Sequence, residues 1–474
     1  MHKLMIAFAM SVLVLLTQSA RCDTREDAIA AMRRAAEYHD SHVATEGGYL
    51  WAYASDLSKR EGEGEVGETT VWVQPPGTPA VGLMYLRCYE ATGDRYYLEL
   101  AEKAGRVLLR GQMASGGWGA KIELAPEARA GFRYRTGDER RSRRARNTSS
   151  FDDNQTQSAL RLLIRLDAAL GFEDEAFREA IDYALENILE AQYPSGGWPQ
   201  IFDHDAERAD PPVLGASFPD AWPREYPGHN RYWRWYTIND NAMLHTIDLM
   251  FEAGEVYDEP RFRDAAIAGA DFLLLAQLPA PQPAWAQQYD YDMHPVWARR
   301  FEPPAVSGGE SQDVMQTLID TYHRTGERKY LDAVSPAIRY LKASRLPGGG
   351  LARFYELETN RPLYMNREYA LTYDPDDVPG HYAFTVSDRL DRIERRYREA
   401  RARGPAGRPQ HPTPTDRELA ARAQDAIETQ AAYGPWLTEG PLRFAGPADQ
   451  ILDMAEYARR MDALAAYVLS TRPE

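Results

Sequence analysis

Apolar residues recur along most of this chain at the three- and four-residue spacing of amphipathic helices. Tyr183, Ala184, Ile188 and Leu189 fall on one face of such a helix, and Ala265, Ala266, Ala270, Phe272 and Leu273 on another. Further helices are predicted between them, over Gln157 to Leu170 and Asn241 to Glu255. Four stretches read alike: 92–118, 171–198, 257–285 and 325–351. Each opens with a turn and a charged residue, followed by an aromatic (Tyr96, Phe177, Phe262 or Tyr330). An amphipathic helix of roughly 15 residues comes next, then Gln112, Gln192, Gln277 or Arg345, then a Gly/Pro-rich turn.

These marker positions lie 80, 85 and 68 residues apart (112 to 192 to 277 to 345). One helix-pair unit is therefore stacked repeatedly. Two of the loops, 119–150 and 203–235, are much longer than their counterparts. Long insertions in one loop set favour a closed ring with one enlarged rim over an open solenoid. The expected fold is all-α: an (α/α) toroid of repeated helix pairs with long loops on one face, and few strands beyond short hairpins.

The C-terminal part departs from the repeat. Arg389 to Arg403 is a strongly charged helix, 404–415 is rich in Pro and Gly, and helices are predicted near 416–431 and 448–470. Ile451, Met454, Ala455, Ala458 and Met461 give the last helix an apolar face. The expected division is a signal peptide at 1–22, a toroid at 23–403, and a linker with a helical extension packing on the body at 404–474.

Composition narrows the function. With 474 residues, 44% of them hydrophobic, the chain can bury a large core. A net charge of -16 argues against a nucleic-acid partner, whose footprint would be a basic face. Lys3, the apolar run Ile6 to Leu16, and Ala20-Arg21-Cys22 read as an export signal, so a secreted or periplasmic protein is expected. No later segment reaches the ~18 apolar residues of a membrane span. Cleavage after Cys22 would leave Cys88 as the single cysteine, which excludes an intrachain disulfide and a thiolate metal site.

Four loop segments are richer in polar and aromatic residues than structure demands. Thr148 to Gln157 contains Asp152, Asp153 and Asn154 at a helix start; an N-cap explains one such residue but not all of them. Ser195-Gly196-Gly197-Trp198-Pro199-Gln200 adds a loop tryptophan, the residue of a sugar-stacking platform. Tyr236 to Met243 holds Asn239-Asp240-Asn241 at another helix start. The fourth segment joins Trp285 to Tyr289, Trp297 to Glu302 and Ser307 to Ser311. The basic run Arg140 to Arg146, with Arg231, Arg234 and Lys121, offers partners for carboxylates, or is simply solvated.

Taken in this order, the segments resemble the pectate lyases of polysaccharide lyase family ten, the pectic acid lyase group. The resemblance rests on Gly-Gly-Trp-Pro-Gln at 196–200, Asn-Asp at 239–240, Ala-Arg-x-x-Glu at 298–302 and Ser-Gly-x-Glu-Ser at 307–311, and covers roughly 90–360. It implies a toroid whose groove binds an acidic polysaccharide, polygalacturonate or a related polyuronate, with calcium. Asp153 and Asp240 are then the calcium ligands and Arg299 the catalytic base. Trp198, Gln200, Arg234, Tyr236, Arg300 and Glu302 are the substrate-binding candidates. Departures leave alternatives open: Asp152 competes with Asp153, Arg300 with Arg299, and Phe301 stands where the family has Tyr. The residues alone equally allow Arg299 to pair a substrate carboxylate or Glu302. A second stretch, Ala352-Arg353-Phe354-Tyr355-Glu356, keeps that Tyr but follows the Ser-Gly segment, so it ranks lower.

The chemistry is coherent with this reading. Removing the proton α to a uronate carboxylate requires that the growing charge be neutralised, and calcium takes carboxylate oxygens. An arginine, ordinarily protonated up to about pH 12, acts as base only under alkaline conditions beside other cations. Two rivals are a glycoside hydrolase on the same toroid, using acids such as Asp152, Asp240 and Glu302, and a non-catalytic glycan binder.

Overall fold

The computed structural model describes residues 24–64, 66–137, 142–203, 209–228, 231–406 and 414–472. The expected signal peptide and the residues Arg140 and Arg141 of the basic run lie outside the described residues. Twelve helices longer than two turns alternate between an outer and an inner ring among them. The outer helices are α1 (24–38), α3 (Arg95–Gly111), α5 (Glu175–Ala191), α7 (Pro260–Leu275), α9 (Lys329–Ala343) and α11 (Asp416–Glu428). The inner helices are α2 (Thr78–Thr92), α4 (Gln155–Ala169), α6 (Ala242–Tyr257), α8 (Glu310–Thr325), α10 (Leu390–Arg403) and α12 (Met454–Ser470).

The repeated glutamine explains the repeat. Gln112 Nε2 donates to Gly116 O in its own turn (2.9 Å) and to Ala180 O in the next outer helix, α5 (2.8 Å). Gln192 does the same to Gly196 O and Ala265 O, and Gln277 to Pro283 O and Ala333 O. Each buried amide thus satisfies carbonyls that a helix end and a tight turn leave open. At the fourth position Arg345 reaches instead to Asp388 (2.6 Å) and Asp391 at the start of α10. A second device accompanies the first: Trp118 Nε1 donates to Leu108 O, Trp198 to Ile188 O, Trp285 to Leu273 O and Trp436 to Ala426 O, at 2.7 to 2.9 Å. The turn in the second unit needs Gly196, whose φ is +91° and whose Cβ would meet Ala268 O at 2.1 Å.

The C-terminal segment is more than an extension leaning on the body; it completes the ring. Gln430, just past α11, repeats the glutamine device, donating to Gly434 O (2.7 Å) and to Ala31 O of α1 (2.8 Å). On α12, Tyr457 stacks on His39 at 3.7 Å and donates to Tyr85 of α2 at 3.0 Å, and Asp462 pairs with Arg87. Strand Ala52–Ala54 pairs antiparallel with Gln450–Asp453. The strands are short, as expected, and sit in the loops. One small sheet matters for the site: Phe354–Glu356 pairs with Ala305–Ser307, Phe354 opposite Ser307. Among the described residues no helix is long and apolar enough to cross a membrane.

Candidate active site

All inner helices start on the same face, and two of them start with the same unusual turn. Asp152–Asn154 precedes α4 and Asn239–Asn241 precedes α6, each as a single 3-10 turn. Asp153 and Asn154 have φ of +46° and +60°; Asp240 and Asn241 have +50° and +59°. Paired non-glycine residues in the left-handed region cost on the order of 1–2 kcal/mol each. Asp and Asn tolerate the region best, which explains why these residue types recur. Gln157 joins the two turns, donating to Phe151 O (2.9 Å) and to Ala242 O (2.9 Å).

The strained turns bring three carboxylates together. One oxygen each from Asp152, Asp153 and Asp240 lies within 4.8 Å of the others. Burial raises all three carboxyls, and repulsion within the trio adds to it for Asp153 and Asp240. Asp240 goes to about 8 despite the counteracting charge of Arg299, and Asp153 to about 6 with Asp152 and Glu63 adding to the effect. Asp152 is raised by burial, opposed by a hydrogen bond from Gln200. Asp152 Oδ1 and the nearby Asn154 Oδ1 are buried without a partner. An all-oxygen set of crowded, under-coordinated carboxylates fits a hard divalent cation such as calcium.

Beside the trio lies an arginine fork. Arg299 gives Glu302 three hydrogen bonds, from its backbone N (3.0 Å), Nε (2.8 Å) and a terminal NH2 (2.5 Å). The same NH2 reaches Asp240 at 3.3 Å. Asn239 Nδ2 bonds both Asp240 Oδ2 (2.9 Å) and Glu302 Oε1 (3.3 Å). Burial works against the guanidinium charge, but the Glu302 bond and charge, then Asp240, outweigh it and hold Arg299 firmly cationic.

A cleft of about 390 Å³ opens on the other side of Asp240, lined by Asn241, Gly309, Glu310, Arg353 and Arg389 among others. Arg389 is occupied by both oxygens of Asp313 (2.6 and 3.0 Å). Arg353 is not so tied. Its Nε donates to Ala383 O (2.5 Å), its nearest carboxylate oxygen belongs to Glu310 at 3.8 Å, and its side chain is 19% exposed. The strand pairing of Phe354 with Ser307 puts it here, with Gly308 N bonded to Arg353 O at 3.0 Å.

The sequence candidates therefore separate. Asp152, Asp153, Asp240, Arg299 and Glu302 come together, and Gln200 joins them through Asp152. Glu302 is 1% exposed and spends its oxygens on Arg299, so it is a holder of Arg299 instead of a surface for substrate. Trp198 is 1% exposed, its indole tied to Ile188 O, and Tyr236 is wholly buried; neither is a stacking platform. Arg234 pairs with Asp203 (3.0 Å), and its carbonyl accepts from Tyr193 and Tyr291. Arg300 turns to Glu368 O and the Tyr369 ring, whereas Arg299 turns to Glu302 and Asp240. The sequence reading ranked Arg353 low, on the second Ala-Arg-x-x-Glu stretch, and passed over Tyr232. Burial, then the charge of Glu302, pushes the Tyr232 phenol up to about 12 at the edge of this cluster.

Comparisons with known proteins bear on this site. The pectic acid lyase family matches the chain over residues 112–210 and 215–348, which contain all three aspartates, Arg299 and Glu302. The resemblance read from the motifs therefore holds. No curated protein matches the chain. Among solved structures, a family 10 polysaccharide lyase from Cellvibrio cellulosa is 20% identical, covering 67% of this chain and 94% of its own, with a TM-score of 0.45. A D-mannose isomerase is 14% identical (94% and 97% covered, TM-score 0.46). A cellobiose 2-epimerase from Bacillus thermoamylovorans is 12% identical (92% and 98% covered, TM-score 0.46).

Proposed function

We propose that this chain is an exported, calcium-dependent lyase that cleaves polygalacturonate or a related polyuronate by β-elimination. The observation that carries the reading is the trio Asp152, Asp153 and Asp240, held by two strained turns inside the matched region and facing a cleft with a guanidinium. Asp152, Asp153 and Asp240 would hold the ion. A bound calcium supplies Lewis acidity that offsets the negative charge developing on the uronate carboxylate.

The chain's own residues divide the remaining work. Arg299, 3.3 Å from Asp240 at the edge of the trio, is assigned proton abstraction at C5. Arg353, the cleft arginine without a tight carboxylate partner, is assigned to bind a uronate carboxylate. A guanidinium acts as base only under alkaline conditions and beside other cations.

A second reading, glycoside hydrolysis, draws on Asp240, whose carboxyl stays protonated to about pH 8 and could serve as a general acid. Incubation with polygalacturonate, with calcium and then with a chelator, separates the two. An ultraviolet signal from 4,5-unsaturated ends, lost on chelation, supports the lyase. New reducing ends without that signal overturn it in favour of hydrolysis. Export is tested by the mass of the chain recovered from outside the cytoplasm, expected to begin at Asp23.

A further inference from the structure

The long 203–235 loop encloses, together with the segment 290–304, a second pocket of about 260 Å³. The loop contributes Trp222 and three prolines, and the segment contributes Trp297 and Pro304. Trp297 and Pro304 flank the 298–302 turn that carries Arg299 and Glu302, so this pocket and the arginine fork share one loop. The walls are pinned: Trp297 Nε1 donates to Pro223 O (2.8 Å), Ser217 N to Met293 O (3.2 Å), and the Tyr226 ring meets Trp297 edge-on at 5.6 Å. Trp297 is 2% exposed and its indole N–H is spent, whereas Trp222 is only partly buried.

The charge of the pocket decides what it can hold. Its only titratable lining side chains, among the described residues, are Asp290 and His294. Asp290 Oδ1 accepts from the backbone N–H of Asp292 (3.0 Å) and of His294 (2.9 Å). Its Oδ2 stands 4.0 Å from His294 Nδ1, beyond hydrogen-bond range. Arg224 stacks on the Trp222 ring at 4.3 Å, but its charge is answered by Glu356 at 2.6 Å. An ionised uronate would meet Asp290 here with no free cation among the described lining residues, and burying such a charge unpaired is costly. Aromatic and apolar walls with a few polar atoms are what a sugar ring requires. The volume lies below the ~300–1,000 Å³ of larger ligand sites, so it suits one ring and not a run of them.

We propose that this pocket is an accessory subsite for one uncharged pyranose of the polymer, stacked on Trp222 and hydrogen-bonded to Asp290 and His294. A methyl-esterified uronate and a neutral branch sugar share that chemistry. The proposal rests on the reading of the chain as acting on a polysaccharide, whichever bond-breaking chemistry follows.

The test titrates the full-length protein, in chelator, with trigalacturonate, its methyl ester and galactotriose, read by ligand-observed NMR. At least one uncharged trimer is expected to bind, at least about tenfold tighter than trigalacturonate. Binding of the ester alone supports an esterified uronate as occupant, and binding of galactotriose supports a neutral branch sugar. Trp222→Ala is expected to weaken that binding about tenfold, the scale of one lost aromatic stack. Because Trp222 also packs on the core, Ala221→Trp serves as a second variant: it fills the pocket from an exposed wall position. Thermal midpoints accompany both. Failure of both uncharged trimers to bind the folded wild type overturns the proposal. Equal binding of trigalacturonate does so too, as does unchanged binding in the folded variants. A protein that binds an uncharged trimer but releases no unsaturated product from any polyuronate overturns the lyase reading and leaves this subsite standing.

Discussion

Asp153 and Asp240 hold equivalent positions in two copies of one strained turn, 87 residues apart in sequence (240 less 153) and within ligand reach in space. Both turns cap neighbouring inner helices, and Gln157 stitches one to the other. The carboxylates are thus held together by the backbone of the two turns.

The raised carboxyls give a signed pH dependence. Asp240 and Asp153 have folded values near 8 and 6, above the unfolded value near ~3.9. Their contribution to stability is fully present below about pH 4 and is lost as pH rises through 6 and then 8. In chelator, the thermal midpoint should fall across that window. Calcium should raise the midpoint more at pH 8 than at pH 5; an equal gain at both would detach the ion from these aspartates.

Arg353→Ala should raise KM for polygalacturonate about tenfold, the scale of one lost charge-assisted contact. Its thermal midpoint should fall only modestly, because the guanidinium loses its bond to Ala383 O and the Tyr382 ring face but no tight ion pair. A variant with near wild-type KM would put Arg353 outside the substrate groove.

Arg299→Ala should be costly in stability as well as activity. Glu302 is 1% exposed and would lose its two guanidinium donors. The backbone N survives the change, and Arg299 is itself 36% exposed, so water can reach part of the gap. A loss of roughly 1–3 kcal/mol in urea unfolding is expected. Arg299→Lys should recover part of the stability without the bidentate geometry.

Trp198→Ala should behave as a core lesion, costing about 3–5 kcal/mol. At temperatures where the variant stays folded, KM for polyuronate should be close to wild type. A large rise in KM with unchanged stability would put the indole back in the groove.

A chain ending at Arg403 should show no cooperative unfolding transition in calorimetry. That truncation removes Gln430, Trp436 and Tyr457, and exposes the faces of α1 and α2 that they cover. A sharp transition would make the C-terminal segment dispensable.

The ring was legible in the sequence because Gln112, Gln192 and Gln277 recur with the same turn after them. The closure was not, since Gln430 meets Ala31 across 399 residues and no local pattern reports such a pairing. Trp198 was misread on residue type, though a local signal existed: Trp118 and Trp198 each lie ten residues after the helical carbonyl that accepts from their indole. Placing Arg353 in the cleft needed the strand register of Phe354 on Ser307. Arg299 and Arg353 sit in the same Ala-Arg-x-x-Glu frame, and only the register shows which one enters the cleft.

Because every outer helix ends, and every inner helix begins, on the face that carries the aspartates, α1 starts and α12 stops on the opposite face. The described ends, Thr24 and Arg472, thus both leave the ring from behind. A tether attached at either end, whether to a surface, a carrier or a second enzyme, would hold the cleft outward. The ring is thus also a mount, oriented by its own connectivity.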